Sequence, residues 1–472
     1  MEFHNGENKI SCSKKYNWLF KMSVVDVAPL NSSNSDDFAA FLDTELESTP
    51  NTSPEPEEDA DETHHSDINR TKRQKIEVME SDSAANESTS QHETTLAVDA
   101  SVKKNICTHP SGMLGLCTKC GEKWDNQSGV RLEYIHKDVW VSDDEAARIR
   151  ERDLKNLLRH KKLYLVLDLD HTLLNSTHFI DGDATQEEGY LMNPSDPMQD
   201  PLRGSLFKLN SMQMMTKLRP FVHTFLKEAN KLFEMYIYTM GERAYALEMA
   251  NLLDPGKVYF ESRVITRSDC TREHKKDLDV VLGQESAVLI LDDTEEVWDK
   301  RKENLILMER YHFFASSLKQ FKHRCKSLSE LKSDESEADG TLATVLQVLK
   351  KIHTMFFDPD LGENFSGQDV RQILGTVRSQ ILKGCKIVFS HIFPIDFKAE
   401  NHKLWKMAER LGATCAKEVD PSVTHVISTD VATAKSRWAV HQKKFLVEPR
   451  WLEAANYLWQ RQPEDRFPVN KI

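Results

Sequence analysis

The chain has 472 residues and carries a net charge of −13. This length exceeds what a single hydrophobic core usually organises, so we expect two or more folded units. The acidic balance argues against direct DNA binding through a basic face, and no apolar run reaches the ~20 residues of a transmembrane helix, so neither DNA nor a membrane is an expected partner.

Residues 1–105 are predicted to form a disordered acidic arm. The stretch from Ser23 to Asn69 has no Lys or Arg and is dominated by Ser, Asp, Glu, Pro and Thr, so it buries too little apolar surface to offset its ordering entropy. Within it, DDFAAFLDTELE is either an amphipathic helix that forms on a partner or a solvated tail. The basic cluster TKRQK (Thr71 to Lys75) is either a nuclear-import signal or a chance cluster. The nucleus is therefore the expected location.

Residues 106–158 contain a Cys/His segment followed by a helix. The helix is predicted from SDDEAARIRERDLKNLLRH, in which Ser142 and Glu145 form a capping box. Before it, CTHPSGMLGLCTKCG offers four soft side chains that fit tetrahedral zinc: Cys107, His109, Cys117 and Cys120. The alternative is a turn-rich linker with unliganded thiols, since the first pair is spaced more tightly than usual. The other cysteines are mostly scattered singly, which favours a reducing compartment over a disulfide framework.

Residues 159–332 alternate apolar strands with amphipathic helices, which predicts a doubly wound parallel sheet of the α/β class. Functional residues of such sheets gather at the carboxyl ends of the strands, where Asp168, Thr239 and Asp292 fall. The stretch between the first strand and Leu218 has a polar loop and β-like segments, so we expect a small insertion rather than a large helical domain.

Two acidic pairs follow predicted strands, Asp168 with Asp170 and Asp292 with Asp293. A doubly wound topology can bring both strand ends together and supply oxygen ligands for Mg²⁺. With the hydroxyl of Thr239 and the ammonium of Lys276, the carboxylates complete a set suited to attack on phosphorus. Either pair alone is also compatible with loop carboxylates that have no role.

These segments resemble the haloacid dehalogenase superfamily, and more narrowly the RNA polymerase II C-terminal domain phosphatases of plant type. The resemblance rests on a DxDxT motif and four further segments: DLDHTLLNST, MMTKLRPFV, YIYTMGERAYA, KDLDVVLG and VLILDDTEEVW. Near the C-terminus, KIVFS, LGATC, VTHVIS and Trp451 resemble a BRCT domain. Together the resemblances cover the chain from about Cys107 to its end.

The phosphatase resemblance implies roles for individual residues. Asp168 would form an aspartyl-phosphate, and Asp170 would act first as general acid and then as general base. Thr239 and Lys276 would bind the phosphoryl oxygens, and Thr172 would orient the loop. Arg219 would contact the substrate phosphate, or else be an ordinary residue at a helix start.

The same resemblance implies a Mg²⁺ site. Its ligands would be Asp168, Asp292 and the backbone carbonyl of Asp170, with Asp293 in support, and Mn²⁺ or Co²⁺ is an alternative ion.

Residues 340–382 are predicted to be a helical linker, and residues 383–472 a small α/β module of BRCT type. Ser390 and Lys435 match the hydroxyl and lysine by which some such modules bind phosphoserine. His391 stands where that pattern has Gly, so recognition of unphosphorylated protein surfaces is an equal alternative. Because this module offers no catalytic group, its removal is expected to spare hydrolysis of a small aryl phosphate.

The function these resemblances imply is that of a Mg²⁺-dependent protein serine/threonine phosphatase acting on the heptad-repeat tail of RNA polymerase II. General transcription factors are expected partners of the BRCT-like module or the acidic arm. The rivals are the same chemistry on another nuclear phosphoprotein, and a scaffold whose catalytic domain only docks.

Overall fold

The computed structural model describes residues 107–123, 129–179, 204–321, 325–358, 360, 365–394 and 397–469. The predicted acidic arm and basic cluster lie outside these ranges and stay predictions. Contacts divide the chain into two units, of which the one spanning Asp36–Thr108 is almost wholly undescribed. The elements below all belong to the other unit, which includes His109–Ile472.

The first described part, residues 107–142, is called the N-terminal module. It contains a four-stranded antiparallel sheet in the order β2-β1-β4-β3. Its strands are β1 Ser111–Met113, β2 Leu116–Cys117, β3 Val130–Arg131 and β4 Val139–Val141. Helix α1 (Asp143–Arg159) follows, and the Ser142 side chain accepts the backbone N–H of Glu145 at 3.3 Å, as the capping box predicted.

A five-stranded, wholly parallel sheet forms the centre of the molecule, in the order β10-β9-β5-β11-β12. Its strands are β5 Leu163–Leu167, β9 Phe233–Tyr238, β10 Val264–Ile265, β11 Val288–Asp292 and β12 Leu305–Leu307. Every residue of β5 and β11 is buried. Helices α2 (Val222–Ala229) and α3 (Arg243–Leu253) pack into the same apolar core. The predicted doubly wound fold is confirmed.

The insertion after β5 forms a small antiparallel sheet in the order β6-β8-β7. It consists of β6 Leu174–His178, β7 Leu206–Leu209 and β8 Met214–Leu218. The insertion contains no α-helix within its described residues, and residues 180–203 are not described.

The two helices predicted as a linker are present as α5 (Thr341–Phe356) and α6 (Val370–Ser379), after the short α4 (Ala315–Gln320). They are not a free connection, because their apolar residues, including Leu346 and Leu374, belong to the core of the parallel sheet. The linker prediction is therefore corrected: buried aliphatic side chains on both helices make them part of the catalytic domain.

The C-terminal module has its own parallel sheet in the order β14-β13-β15-β16. Its strands are β13 Lys386–Ser390, β14 Thr414–Ala416, β15 His425–Ser428 and β16 Phe445–Val447, and its helices are α7 Lys403–Arg410, α8 Ala434–His441 and α9 Arg450–Leu458. Trp459, just after α9, packs into the catalytic core under the guanidinium of Arg378, which lies 4.9 Å from its ring. The two domains thus share apolar contacts.

Among the described helices, none combines the length and apolar character needed to cross a bilayer.

Candidate active site

The two predicted acidic strand ends lie side by side. Strands β5 and β11 pair in parallel with Leu167 opposite Leu291, and Asp168 follows directly by donating its N–H to the Leu291 carbonyl at 3.0 Å. The Lys276 ammonium bridges them, 2.7 Å from Asp168 Oδ1 and 2.6 Å from Asp292 Oδ2. All three side chains are buried. The fold therefore unites a nucleophile candidate, a second carboxylate and a cation.

Asp293 completes an acidic cluster with this pair. One carboxylate oxygen from each of Asp168, Asp292 and Asp293 lies within 4.8 Å of the others. The remaining bonds of Asp292 hold it rigidly, since Thr294 N–H donates to Oδ1 and Trp298 Nε1 donates to Oδ2, each at 2.8 Å. Converging carboxylate oxygens are the donors that a hard divalent cation such as Mg²⁺ prefers, so the cluster fits that ion.

The electrostatics of the site also call for a cation. Burial raises the pKa of Asp168 well above its usual range, and nearby Asp292 adds to this against the opposing charge of Lys276. Burial likewise raises the pKa of Asp292. For Lys276 burial favours the neutral amine, but the two carboxylates outweigh it and raise the pKa, so the lysine is charged. A bound cation would favour the ionised form of both carboxylates.

Asp170 lies at the partly exposed edge of the site and accepts a hydrogen bond from Tyr245. The Tyr245 hydroxyl lies 2.5 Å from Asp170 Oδ1 and 2.9 Å from Ser176 Oγ, and Ser176 Oγ lies 2.8 Å from Thr216 Oγ1. This chain of hydroxyls fixes the Asp170 carboxyl from the side of the insertion. The sequence analysis missed Tyr245, because nothing in the periodicity of α3 separates it from an ordinary surface tyrosine.

Thr239 lies at the end of β9, next to β5, with its side chain buried. Its Oγ1 accepts the Gly241 N–H at 3.0 Å. A Cβ at Gly241 would come within 2.9 Å of the Tyr245 ring, so the glycine allows this close turn. Thr172 is fully buried, and its Oγ1 has no hydrogen-bond partner within the described part of the chain.

The structure corrects the prediction that Arg219 contacts the substrate phosphate. Its guanidinium is buried and paired with Glu335, with Nη2 to Oε1 at 2.6 Å and Nε to both carboxylate oxygens at 3.1 and 3.2 Å. Its Nη1 donates to the Thr172 carbonyl at 3.0 Å. The guanidinium is therefore already bound by protein groups. Through its bond to the Thr172 carbonyl, Arg219 supports the loop that follows Asp168.

A second residue that the sequence analysis missed is Arg310. Its Nε lies 2.5 Å from Asp293 Oδ2, and its Nη2 donates to Thr294 Oγ1 at 3.1 Å. Burial lowers the pKa of Arg310, but the carboxylate of Asp293 outweighs burial and raises it. No sequence signal marks this arginine. Arg310 lies in the chain after β12, 17 residues from Asp293, and only the fold brings the two side chains together.

The Cys/His cluster is also brought together. Ligand atoms of its four members lie within 4.8 Å of one another: Cys107, His109, Cys117 and Cys120. Cys120 Sγ lies 3.4 Å from His109 Nδ1.

In the C-terminal module, Ser390 Oγ lies 2.8 Å from Thr433 Oγ1, and Thr433 caps α8 by accepting the Ser436 N–H at 3.1 Å. Lys435, in the first turn of α8, donates to the Lys417 carbonyl and lies 3.5 Å from Glu418. Ligand binding by Ser390 and Lys435 stays a prediction.

Two features next to these candidates concern the backbone and the core. His391 adopts a left-handed φ of 60°, a conformation that favours glycine, the residue that the phosphoserine-binding pattern has at this position. Trp451 is buried, and its Nε1 donates to the Gln462 carbonyl at 2.9 Å, which makes it a core residue.

Comparisons with known proteins agree with this geometry. Residues 163–352 match the NLI interacting factor-like phosphatase family, and residues 394–451 match the twin BRCT domain family. The chain is 55% identical to RNA polymerase II C-terminal domain phosphatase-like 4 of Arabidopsis thaliana over 96% of this chain and 98% of that protein.

More distant relatives are covered less fully. Identity is 42% with phosphatase-like 3 of Arabidopsis thaliana, over 70% of this chain but 27% of that protein. With an RNA polymerase II C-terminal domain phosphatase of Caenorhabditis elegans it is 29%, over 77% of this chain and 56% of that protein. Among solved structures, that of Fcp1, an essential RNA polymerase II CTD phosphatase, is matched with a TM-score of 0.56 and 25% identity, over 68% of this chain and all of that one.

Proposed function

The chain belongs to the RNA polymerase II C-terminal domain phosphatases, and we propose that it removes phosphate from serines in the heptad-repeat tail of the polymerase through an aspartyl-phosphate intermediate. The observation that carries the proposal is the buried arrangement in which Lys276 bridges Asp168 and Asp292 at the ends of neighbouring strands. The near full-length similarity to a protein of this family supports the choice of substrate class.

In the first step, an Asp168 carboxylate oxygen attacks phosphorus as the bond from phosphorus to the serine oxygen breaks. Lys276 and Thr239 bind the phosphoryl oxygens on which charge accumulates. Asp168, Asp292 and the Asp170 carbonyl, supported by Asp293, would hold Mg²⁺, or Mn²⁺ or Co²⁺ in its place, which supplies further neutralisation of that charge. Arg310 holds Asp293 in position.

Asp170 handles the proton in both steps. It protonates the departing serine oxygen and, as a carboxylate, then takes a proton from the water that attacks phosphorus. That attack breaks the bond from phosphorus to the Asp168 oxygen, releases inorganic phosphate and restores the Asp168 carboxylate. Tyr245 fixes the carboxyl through its hydrogen bond to Oδ1. Asp170 is partly exposed, and the described part of the insertion places no helix over it. We propose that the site admits an extended peptide.

Three further assignments belong to the same proposal. The enzyme acts in the nucleus, and Thr71 to Lys75 carry the import signal. General transcription factors bind the C-terminal module or the acidic arm. The rivals are a different nuclear phosphoprotein as substrate, and a scaffold whose catalytic domain only docks.

The proposal is tested by measuring Mg²⁺-dependent phosphate release by the full chain from heptad peptides phosphorylated at different serines. We expect turnover that needs Mg²⁺ and is abolished in Asp168→Asn, because an amide is a poor nucleophile and a weaker metal ligand. Asp299→Asn, which changes an acid outside the cluster, is the matched control. Asp168→Asn retaining more than a few per cent of the wild-type rate would remove Asp168 from this role. Turnover of other phosphoproteins but not of heptad peptides would favour the first rival.

A further inference from the structure

We propose that Cys107, His109, Cys117 and Cys120 bind one structural Zn²⁺, and that the N-terminal module closed by this ion braces the Lys276 segment. The Lys276 segment is defined as residues 275–283, which run from the active-site lysine towards β11. The metal site and the brace stand on the geometry alone, and only their effect on turnover rests on the proposed function.

The four side chains match zinc in chemistry and in spacing. Three thiolates and one imidazole are a common structural zinc set, with Zn–S bonds of about 2.3 Å and Zn–N bonds of about 2.0–2.1 Å. Tetrahedral geometry with these bond lengths puts S and N ligands about 3.6 Å apart. Cys120 Sγ and His109 Nδ1 are 3.4 Å apart, and all four ligand atoms lie within 4.8 Å of one another.

Two tight turns of the backbone bring these four side chains together. Leu114 and Gly115 both have positive φ, 53° and 76°, which is the conformation of a tight two-residue hairpin turn between β1 and β2. After β2, the Lys119 N–H donates to Cys117 Sγ at 3.4 Å, and Gly121, with φ 73°, donates its N–H to the Cys117 carbonyl at 2.9 Å. The hairpin and this turn place Cys117 and Cys120 next to the segment that contains His109.

The N-terminal module is too small to be held by its core alone. Among its described residues the buried apolar side chains are few: Cys117, Val130, Leu132, Tyr134 and Val141. Modules below ≈ 40 residues usually need a metal, a disulfide or a partner to fold stably. The ion would therefore supply much of the stability of the sheet.

The module and helix α1, which follows it, contact the Lys276 segment through hydrogen bonds to its backbone carbonyls. The Tyr134 hydroxyl donates to the Val280 carbonyl at 2.9 Å. Arg150 of α1, which follows directly, donates from Nε to the Val281 carbonyl at 3.3 Å and from Nη2 to the Asp279 carbonyl. Three consecutive carbonyls of the segment are thus bound from this side.

The other contacts of the segment anchor its beginning. The Lys276 N–H donates to the Val297 carbonyl at 2.9 Å, and Arg301 Nε lies 2.7 Å from Asp277 Oδ1. The segment is therefore supported near Lys276 and at residues 279–281, and Thr271 Oγ1 also donates to the Asp279 carboxylate. Since the buried bond at residues 279–281 comes from Tyr134 of the module, loss of the module's fold would remove the bond to the Val280 carbonyl and loosen the position of the lysine.

The first test is metal analysis of the full chain. We expect close to one zinc per chain in the wild type and in Cys325→Ser, a control that removes a cysteine outside the cluster, and almost none in Cys117→Ser/Cys120→Ser. Replacement by Co²⁺ should give the visible bands of tetrahedral thiolate coordination. Wild-type protein without zinc, or with a disulfide between Cys117 and Cys120, would overturn the metal site.

The second test is amide hydrogen exchange, which reports the brace independently of activity. Tyr134→Phe should keep its zinc yet exchange several-fold faster at residues 278–283, whereas β13 and β15 stay unchanged. Tyr236→Phe, a buried tyrosine whose hydroxyl makes no hydrogen bond to the Lys276 segment, is the matched control. Unchanged exchange at residues 278–283 in both Tyr134→Phe and the double cysteine variant would overturn the brace.

Discussion

At the scale of single residues, Asp170 and Asp168 have opposite requirements although only one residue separates them. Asp168 is buried and bound by Lys276, as a nucleophile that must stay ionised requires. Asp170 is partly exposed and is bound by a neutral phenol, which suits a group that gains and loses a proton in each cycle. Their different surroundings thus suit different tasks.

The hydrogen bond from Tyr245 should matter most when the leaving group needs a proton. Tyr245→Phe is expected to lower turnover of a phosphoserine peptide about tenfold, less than the 10²–10⁴ that a general acid itself contributes. An aryl phosphate should lose less, because its leaving group barely needs protonation. Steady-state kinetics on both substrates check this, with Tyr236→Phe, at a buried tyrosine outside this chain of hydroxyls, as the control. Equal losses on the two substrates would mean that Tyr245 acts only on the fold.

Glu309 makes stability depend on pH. Its Oε2 is buried without a hydrogen-bond partner among the described residues, and burial, reinforced by Glu335 and opposed by Arg219, raises its pKa to about 7. An acid whose pKa is higher in the folded state binds more protons there, so the free energy of unfolding falls as pH rises from about 4.5 to 7.

Glu309→Gln should remove that loss. At about 1.4 kcal/mol per pKa unit, the variant should gain on the order of 2 kcal/mol relative to the wild type between pH 5 and pH 8. Denaturant unfolding at both pH values measures the difference. A variant whose stability falls with pH as steeply as that of the wild type would contradict the assignment.

At the scale of elements, the parallel strands place the site, and this much follows from sequence. Apolar runs ending at Asp168 and Asp292 predict two buried strands, and parallel pairing brings their ends together. The supports of the site were not predictable. Glu335, the partner of Arg219, lies in a polar stretch that looks like a connection, and Arg310 follows β12, whose three residues are too few for a clear pattern. Such partners are set by tertiary contacts, which leave no periodic signal.

Arg310 should act through the metal ligands rather than on the substrate. Arg310→Ala is expected to raise the Mg²⁺ concentration for half-maximal turnover about tenfold, since partners of metal ligands typically contribute 10–100-fold to affinity. The KM for peptide at saturating Mg²⁺ should stay near the wild-type value. Lys302→Ala, at an exposed cation that lies 3.8 Å from Glu295, is the control. A changed KM with an unchanged Mg²⁺ dependence would assign Arg310 to the substrate instead.

At the scale of the whole molecule, the C-terminal module packs against the catalytic domain. Arg410 of α7 lies 3.1 Å from Glu295, two residues after Asp293, and Trp459 is buried in the catalytic core. The expectation that removal of the module spares hydrolysis of a small aryl phosphate therefore changes. We now expect deletion after Lys383 to reduce this activity too, because it exposes the Trp459 site and removes a support next to the Asp293 turn.

A point substitution separates this effect from gross truncation. Trp459→Ala should lower the free energy of unfolding by about 3–5 kcal/mol, the usual cost of emptying a buried aromatic site. Phe445→Ala, at an exposed aromatic side chain of the same module, should change it little. Denaturant unfolding curves that report the unfolding of the catalytic domain measure the free energy of unfolding of both variants. Equal, small effects of both variants would mean that the domains are energetically independent.

The central claim is that Asp168 is the nucleophile, and trapping its phosphorylated form tests this most directly. The full chain is mixed with a phosphorylated heptad peptide and Mg²⁺, quenched in acid, reduced with borohydride and digested, and the reduced side chain is located by mass spectrometry. With an aryl phosphate, whose leaving group barely needs a proton, Asp170→Asn should accumulate more of the intermediate, since water attack then lacks its base. We predict reduction at Asp168 alone. Turnover with a trapped phosphate on another residue, or with none on Asp168, would contradict the account.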